Sequence, residues 1–352
     1  MYSHFRNLRL TSLLCLILFI SCNKTKTTNF KSVEVVNIYE DTLNVHALHP
    51  IDLERVWFAT NRGKIGLLDG EIPKLAIIKY EDKLLHFRAI TATDEAAFVM
   101  SIASPGIIYK IGFDGSEATN IESVYVEEGE KVFFNGIKFW SNSEGIVLGD
   151  PIENCMNILI TRDGGNTWSK VACEVLPEAE KGEVGFAISN SIIATYGDHA
   201  WIATGGSTAR VFHTPDKGKT WNSYDTPIIS GEAMAGIHAI TFWDENNGIV
   251  VGGNWRDKEN NEATVAITTD GGKTWKLATD ETPGYQSAVK YVPGSNGKKI
   301  IGLGPSGIAY SKDGGNQWEK LTDENFYALE FVNDTLAFAA GKNRISKLIF
   351  KK

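Results

Sequence analysis

The sequence TTDGGKTW at Thr268–Trp275 decides the fold, because close copies of it recur along the chain. TRDGGNTW stands at Thr161–Trp168, TPDKGKTW at Thr214–Trp221 and SKDGGNQW at Ser311–Trp318. Their shared aspartates are 53, 54 and 43 residues apart. An element that recurs at such a spacing is typical of a repeat architecture. The chain is therefore predicted to be built from repeated units.

Each copy, called a box here, lies between two short apolar strands, for example ATVAI before and WKLA after the third. A strand, a Gly-containing turn and a second strand make a hairpin. The aspartate can accept hydrogen bonds from turn amides, the glycines can adopt positive φ, and the tryptophan can pack on a neighbouring sheet. A carboxylate beside glycines also occurs in metal loops, but we predict a structural role and no metal site. The box residues are Asp163, Trp168, Asp216, Trp221, Asp270, Trp275, Asp313 and Trp318.

A longer unit surrounds each box. FFNGIKFWSNSEGIVLGD, GIHAITFWDENNGIVVGGN and YQSAVKYVPGSNGKKIIGLGPSG each contain two alternating strands separated by a polar turn. A Gly-rich loop and the box hairpin follow, so each unit has four strands, which is the size of a propeller blade. Two weaker copies without a box precede these units, and FYALEFVNDTLAFAAGKNRISKLIF near the C-terminus supplies three strands.

The count of units predicts an all-β fold, a seven-bladed β-propeller of four-stranded antiparallel blades. The segment SVEVVNIY, Ser32–Tyr39, is predicted to add the missing strand of the last blade and so to close the ring from the N-terminus. About 320 residues shared among seven blades give about 46 per blade, within the usual size of a blade. The propeller is predicted to cover residues 32–352.

These units resemble the Asp-box, or bacterial neuraminidase repeat, propellers. HFRAI, GIVLGDP, WIATGG, GIVVGG and GPSGIAYSKDGG are similar to the photosystem II assembly and stability factor family, over essentially residues 32–350. The likeness is to a non-photosynthetic bacterial branch whose members are often labelled oxidoreductase or glycosyl hydrolase. The resemblance implies the fold and not an activity, because such propellers include lectins, sialidases, assembly factors and receptors.

The N-terminus carries the pattern of an export signal. Arg6 and Arg9 precede LTSLLCLILFI, an apolar run too short to span a membrane, so residues 1–21 are predicted to be a lipoprotein signal peptide. FISC resembles a bacterial lipobox, which favours Cys22 over Cys15 as the lipid anchor. Residues 22–31 are predicted to be a flexible tether. We expect an exported protein of the bacterial cell envelope, lipid-anchored at the periplasmic face or at the surface.

Charge and motifs limit the partners and cofactors. Removal of residues 1–21 changes the net charge from −8 to −10, and nucleic-acid binding needs a basic face, so no nucleic acid is expected. GLGPSG, Gly302–Gly307, fits a dinucleotide fingerprint but leads into a box and not into a helix. We predict no cofactor, and no motif supports an oxidoreductase. The expected partners are a polar or anionic ligand, a glycan or an envelope protein, and the membrane through the anchor.

Propeller geometry predicts which polar residues come together. The innermost strand of a blade starts at one rim of the central channel, and the loop after the second strand opens on that same face. The boxes lie on the opposite face, so the first face is called the box-distal face. Inner-strand starts contribute His46, His86, Arg88, Asn135, Glu183, His238, Gln286 and Tyr327, and the loops contribute Asp150, Arg210, Asn254, Trp255, Arg256 and Ser306.

Two interpretations of this face remain open. One is an ordinary polar rim filled with water. The other is a ligand site in which arginines bind an anionic group and Trp255 is a stacking platform. Its predicted ligand-binding residues are Arg88, Asn135, Arg210, His238, Asn254 and Trp255. With either interpretation, the function predicted first is a ligand-binding or protein-assembly module.

The alternative function is a sialidase-like glycoside hydrolase acting on a glycan at the box-distal face. Sialidase-like propellers bind a substrate carboxylate through three arginines and use a tyrosine activated by a glutamate, plus an aspartic acid. The matching candidates are Arg88, Arg210 and Arg256, then Tyr327 with Glu183, and Asp150 as the acid. The first sialidase arginine normally stands in Phe-Arg-Ile-Pro, and FRAI here lacks that proline. Whether the protein is an enzyme therefore stays open.

Cys155 and Cys173 are the two thiols left after signal removal and lipidation. Their midpoint falls in the turn DGGN of the first box, so they are predicted to face each other across the third and fourth strands of one blade. Opposed strand positions lie near disulfide reach, and an exported protein can oxidise such a pair. A register slip of one residue would put them on opposite faces. A disulfide and two separate buried thiols are both open.

Overall fold

A computed structural model describes residue 1, residues 29–278 and residues 282–352. The predicted signal peptide beyond residue 1, the predicted anchor Cys22 and tether residues 22–28 lie outside the described residues. The described part is built from β-strands, with a short 3-10 helix at Cys173–Val175. Within that part, no helix has the length and apolar character needed to cross a membrane.

The strands are numbered in chain order. The first ten are β1 (Ser32–Pro50), β2 (Arg55–Thr60), β3 (Lys64–Asp69), β4 (Ile72–Ile77), β5 (Lys79–Tyr80), β6 (Lys83–Leu84), β7 (Phe87–Ala92), β8 (Ala96–Ser101), β9 (Gly106–Asp114) and β10 (Glu117–Glu127). The next ten are β11 (Phe134–Phe139), β12 (Gly145–Ile152), β13 (Cys155–Thr161), β14 (Ser169–Lys170), β15 (Glu183–Val184), β16 (Ile193–Tyr196), β17 (His199–Ala203), β18 (Gly205–Gly206), β19 (Arg210–Thr214) and β20 (Asn222–Asp225). The last ten are β21 (Ala235–Phe242), β22 (Gly248–Asn254), β23 (Val265–Thr268), β24 (Lys276–Leu277), β25 (Ala288–Tyr291), β26 (Ile300–Gly304), β27 (Gly307–Ser311), β28 (Glu319–Thr322), β29 (Ala328–Phe331) and β30 (Leu336–Lys351).

These strands form an all-β propeller of antiparallel sheets. Four sheets have four strands, in the orders β10–β9–β8–β7, β11–β12–β13–β14, β16–β17–β19–β20 and β25–β26–β27–β28. Two sheets have six strands, in the orders β29–β30–β1–β2–β3–β4 and β15–β18–β21–β22–β23–β24. A small ribbon pairs β5 with β6. The four-stranded antiparallel unit that the sequence predicts is therefore the building block of the fold.

The prediction of seven separate blades is wrong, because the described residues form six sheets of four or more strands. The reason is the length of the terminal strands. β1 pairs with β30 from Ser32 opposite Lys351 to Asn44 opposite Lys342, and then continues as the partner of β2. The predicted closing segment, Ser32–Tyr39, is thus the first part of a strand that merges the two ends of the chain into one six-stranded sheet.

The strands β1, β7, β11, β16, β21, β25 and β29 lie next to one another around the centre, and the six-stranded sheet of β1 supplies two of them. They are called the inner strands below. The second strand of a sheet is buried on both faces, as in β8, where all six positions are buried. The outermost strand is mostly exposed, as in β10. Apolar side chains between facing sheets therefore form the core.

Each of the four boxes joins the last two strands of its sheet, on one face of the propeller. In the first box the Asp163 carboxylate accepts the amide of Thr167 at 2.9 Å, and Thr161 Oγ1 accepts the amide of Gly165 at 2.9 Å. The other three boxes repeat both hydrogen bonds. Gly164 and Gly165 have φ of 70° and 75°, which only glycine adopts at no steric cost.

The structure contains a disulfide between Cys155 and Cys173, which decides between the two open alternatives. Cys155 is the first residue of β13, and Cys173 lies in the 3-10 helix just beyond the paired part of β14. The disulfide therefore fixes the start of a long connection, residues 171–192, that leads from β14 to β16.

The packed part of the chain begins before β1. Phe30, which the sequence analysis places in the tether, is 3% exposed. Its ring lies 5.1 Å from that of Tyr310 and 4.9 Å from that of Phe350. Phe30 therefore belongs to the packed part of the described chain.

Candidate functional site

Four inner strands carry a β-bulge at the same level, near the strand start. The register shifts lie between Val45 and Ala47, between Phe87 and Ala89, and at the equivalent places in β11 and β21. A bulge re-aims the side chain of its extra residue. The extra residues are His46, Arg88, Asn135 and His238. Three of the predicted ligand residues therefore occupy equivalent positions around the centre, as their location in the sequence predicts.

A segment of the chain fills the space between these side chains. Residues 185–191, called the plug segment, lie between β15 and β16. His46 Nδ1 donates to the carbonyl of Ile188 at 3.0 Å, and Arg88 Nη1 donates to the carbonyl of Ala187 at 3.1 Å. The ring of His238 is stacked on Phe186 at 4.0 Å between centroids. The bulged residues thus hold a piece of the protein itself.

The end of the plug segment is fixed to further inner strands. Asn190 Nδ2 donates to the carbonyl of Ile90, and Asn190 Oδ1 accepts the amide of Ile137, both at 2.9 Å. Asn190 has φ of 56°, a left-handed conformation that asparagine tolerates better than most residues. Ser189 Oγ donates to the carbonyl of Ser287 at 2.6 Å. Sequence reasoning missed this segment, although its signal was the unusual length of residues 171–192.

Burial and Arg88 keep the nearby histidines uncharged. Burial, together with the positive charge of Arg88, lowers the pKa of His46 to about 3 and that of His86 to about 4. Burial also lowers the pKa of His238 to about 3. All three imidazoles are therefore neutral at physiological pH, and among the four bulged residues the formal charge comes from Arg88.

Asp150 is the candidate acid, and it lies at the base of the plug segment. Its Oδ1 accepts Asn135 Nδ2 at 2.7 Å and the amide of Gly185 at 2.9 Å. Burial raises the pKa of Asp150 to about 6, although both hydrogen bonds favour the charged form. A raised carboxyl pKa is what a general acid requires. Here both contacts are made to the protein and position the plug segment.

Glu183 and Arg210 form a buried ion pair just before the plug segment. The Glu183 side chain is 0% exposed and that of Arg210 is 11% exposed. Arg210 contacts both carboxylate oxygens of Glu183, with Nε 3.2 Å from Oε1, and Thr204 Oγ1 donates to Oε1 at 2.6 Å. Arg210 also donates to the carbonyl of Glu178 at 2.8 Å. Arg210 therefore holds the connection in place instead of facing an open site.

The predicted sialidase-like arrangement is not assembled in the described part of the chain. Tyr327 stacks on His46 at 5.0 Å between ring centroids, whereas Glu183 is bonded to Thr204 and Arg210. No hydrogen bond joins Tyr327 to Glu183 among the described residues. The three candidate arginines have different surroundings: Arg88 donates to the plug segment, Arg210 is paired with Glu183, and Arg256 is exposed in the turn after β22.

The last two predicted ligand residues are Asn254, at the end of β22, and Trp255, in the turn that follows. Asn254 Nδ2 donates to a carboxylate oxygen of Glu232 at 2.8 Å. Trp255 meets Tyr285 edge-on at 5.4 Å, and the ammonium of Lys258 lies 3.9 Å from the centroid of its ring. Lys258 therefore covers one face of the predicted stacking platform by a cation–π contact.

A second set of side chains crosses the channel closer to the boxes. The Glu330 carboxylate lies 2.8 Å from Lys290 Nζ and 3.4 Å from Lys138 Nζ, and the three side chains are 18–20% exposed. Burial opposes the charged carboxylate, but the two lysines lower the pKa of Glu330 to about 2. Burial also lowers the pKa of nearby His49 to about 4. The channel is thus filled at two levels, and the sequence analysis predicted neither the plug segment nor this cluster of Glu330, Lys290 and Lys138.

No group of three or more His, Cys, Asp or Glu side chains that could hold a metal ion is found in residues 29–278 and 282–352. The fold and the site define a β-propeller whose channel is occupied by its own chain. Residues 156–304 match the family model described as Sortilin-Vps10, sortilin, neurotensin receptor 3. This match covers less than half of the chain. No curated protein matches the sequence.

Solved structures that resemble this one are propellers. YCF48 bound to D1 peptide has a TM-score of 0.65 and 14% identity, covering 92% of this chain and 99% of that chain. A streptogramin B lyase has a TM-score of 0.66 and 17% identity, covering 92% of this chain and 100% of that chain. YCF48 from Cyanidioschyzon merolae has a TM-score of 0.61 and 13% identity, over 90% and 99%. At these identities the likeness shows the fold alone.

Proposed function

We propose that the protein is a binding module that recognises a protein partner through its box-distal face. The observation that carries this proposal is the plug segment, which fills the centre and engages the side chains that an enzyme would need. Asp150 is bonded to Asn135 and Gly185, and Glu183 is paired with Arg210. A catalytic group must reach a substrate atom, and these groups are directed to the protein.

The box-distal face has the properties of a rigid docking surface. The disulfide of Cys155 and the ion pair of Arg210 fix the connection that crosses this face. Around them stand exposed groups of both charges, such as Glu180 and Arg256. Charges of mixed sign on a fixed surface give partner specificity more than raw affinity. The structural likeness to YCF48, which was solved with a bound peptide, supports a protein partner.

The proposal is tested by placing a photo-crosslinking amino acid at exposed positions of the two faces. Glu180 and Arg256 represent the box-distal face, and the matched controls Lys219 and Lys273 lie in exposed box turns. We expect crosslinks to one common partner from the first pair and not from the second. Equal crosslinking from both faces would contradict the proposal. So would turnover of a chromogenic glycoside that is lost in Asp150→Asn.

We also propose that the protein is exported and lipid-anchored in the bacterial cell envelope. The lipobox-like FISC at residues 19–22 supports the anchor, and the Cys155–Cys173 disulfide is of a kind that persists in oxidising compartments. The expected result for Cys22→Ala is loss of the lipid and release from membranes, measured by palmitate labelling and by fractionation. A variant that still carries labelled palmitate and sediments with membranes would refute the anchor, whereas Cys15→Ala serves as the matched control.

A further inference from the structure

The fourth box differs from the others in the packing of its tryptophan. Trp168 and Trp221 are each 7% exposed and Trp275 is 8% exposed, whereas Trp318 is only part-buried. Trp168 and Trp275 each meet a phenylalanine edge-on, at 5.8 and 6.1 Å. In the described ranges, neither Trp221 nor Trp318 makes such a contact with another aromatic ring, so the greater exposure of Trp318 is what sets the fourth box apart. Part of the Trp318 surface is therefore open to a ligand.

Trp318 lines two clefts, of about 300 and about 140 Å³. The larger cleft lies between the sheet that contains β21–β24 and the sheet of β25–β28. Its lining includes Asn261, Pro283, Gln286 and Ser306 beside Trp318. Its volume is at the lower end of small-molecule sites, which combine an aromatic or apolar wall with a few placed polar groups.

The floor of this cleft contains polar atoms without a partner. Gln286 is 1% exposed, and its Nε2 donates to the carbonyl of Tyr285 at 3.2 Å. Gln286 Oε1 and Ser306 Oγ have no hydrogen-bond partner among the described residues. A buried polar group without a hydrogen-bond partner destabilises the folded state. Both side chains line the cleft, so a ligand with hydroxyl groups can supply the missing hydrogen bonds.

Gln286 and Trp318 are neighbours, and Gly302 makes room for both. A Cβ atom at Gly302 would stand 3.0 Å from Gln286 Oε1 and 3.3 Å from the Trp318 ring. The glycine thus lets the amide and the ring come together over the strand β26. An unpaired acceptor beside the edge of an aromatic ring is an arrangement that can hold a ring-shaped ligand by stacking and by a hydrogen bond at once.

The charges of the lining select the class of ligand. Glu259 and Glu319 contribute negative charge, and Lys320 is already paired with Asp323 at 2.7 Å. This excess of negative charge disfavours an anionic ligand. A quaternary ammonium ligand is usually enclosed by several aromatic rings, and this lining contributes Trp318 as its aromatic side chain. A neutral ring with several hydroxyl groups fits both the stacking surface and the unpaired acceptors.

We propose that this cleft binds a neutral saccharide, with Trp318 as the stacking platform and Gln286 and Ser306 as hydrogen-bond partners. The site is separate from the plug segment and from the pair of Glu183 and Arg210. Saccharide binding in this cleft would be a second binding activity, and it does not depend on the partner proposed for the box-distal face.

The test is a binding measurement on the purified full-length protein. Glucose, galactose, mannose and N-acetylglucosamine are titrated while tryptophan fluorescence is followed, and a glycan array extends the panel. We expect saturable binding of a neutral saccharide that weakens at least tenfold in Trp318→Ala. Trp221→Phe is the matched control, because this box tryptophan is buried, and its affinity per folded molecule should equal that of the wild type.

A second variant separates binding from folding. Gln286→Leu removes the unpaired acceptor at similar size, so the melting temperature should stay within a few degrees of wild type. Saccharide affinity should nevertheless fall at least tenfold. Absence of saccharide binding across the titrations and the array would overturn the proposal. Binding that is equally strong in Trp318→Ala and Gln286→Leu would also overturn it, since the saccharide would then bind elsewhere.

Discussion

Arg210→Ala is expected to lower the free energy of unfolding by about 3–5 kcal/mol, the usual cost of breaking a buried ion pair by removing one partner. The Glu183 carboxylate, which is 0% exposed, would keep two uncharged donors, the hydroxyl of Thr204 and the amide of Glu180, and would lose its positive partner. The carbonyl of Glu178 would lose its donor as well. Denaturation by urea, followed by circular dichroism, measures the loss.

Two further variants test whether the loss of stability in Arg210→Ala is due to the burial of the ion pair. Arg162 pairs with Glu144 at the surface, with side chains 42% and 23% exposed, so Arg162→Ala should cost less than about 1 kcal/mol. The double variant Arg210→Met with Glu183→Leu should recover much of the stability, because apolar replacement of a whole buried pair is often neutral. If Arg210→Ala unfolds at the same urea concentration as the wild type, the pair does not stabilise the connection.

Trp275→Ala is expected to lower the free energy of unfolding by about 3–5 kcal/mol, the usual effect of removing a large buried ring. Trp275 is 8% exposed, packs edge-on against Phe242 and belongs to the largest core cluster. Its indole nitrogen also donates to the carbonyl of Gly272 at 2.9 Å. The melting temperature should fall well below that of the wild type, while binding per folded molecule is retained.

The matched comparison for Trp275 is Trp318, which stands at the same place in the fourth box. Since Trp318 is part-buried, Trp318→Ala should cost clearly less stability than Trp275→Ala. A Trp275→Ala variant that melts normally but loses a ligand would show that this box binds and does not stabilise. Equal losses of unfolding free energy at the two positions would show that the burial of the tryptophan does not distinguish the boxes.

Local patterns in the sequence predict the local structure of this protein well. Alternation of apolar residues, with a glycine turn at each box, is enough to predict four-stranded antiparallel sheets and the strands that each box joins. The number of sheets depends on whether one strand continues from one four-stranded unit into the next. The predicted closing strand ends at Tyr39, but the chain passes residues 41–44 in a bulge and stays extended through β1.

The sequence was enough to predict where the site residues lie in the fold, but not which residues they contact. Arg88, Asn135 and His238 could be placed at the starts of inner strands, because the fold brings all such starts to one level. The partners of Arg88 and His238 could not be predicted, since Ala187 and Phe186 come from a connection without a repeat pattern. The contact of Lys138 with Glu330 across the channel could not be predicted either, because no local spacing relates two distant strands.

The pairing of β1 with β30 has a consequence for the order of folding. Ser32 meets Lys351, so this part of the sheet can form only after β30 has been synthesised. Closing so long a loop is slow, whereas the hairpins within the other sheets need only local contacts. Until β30 arrives, β1 presents unpaired amide and carbonyl groups from Ser32 to Asn44, and such edges join other chains. A chain cut before Leu336 would keep that edge permanently, and aggregation would be its expected fate.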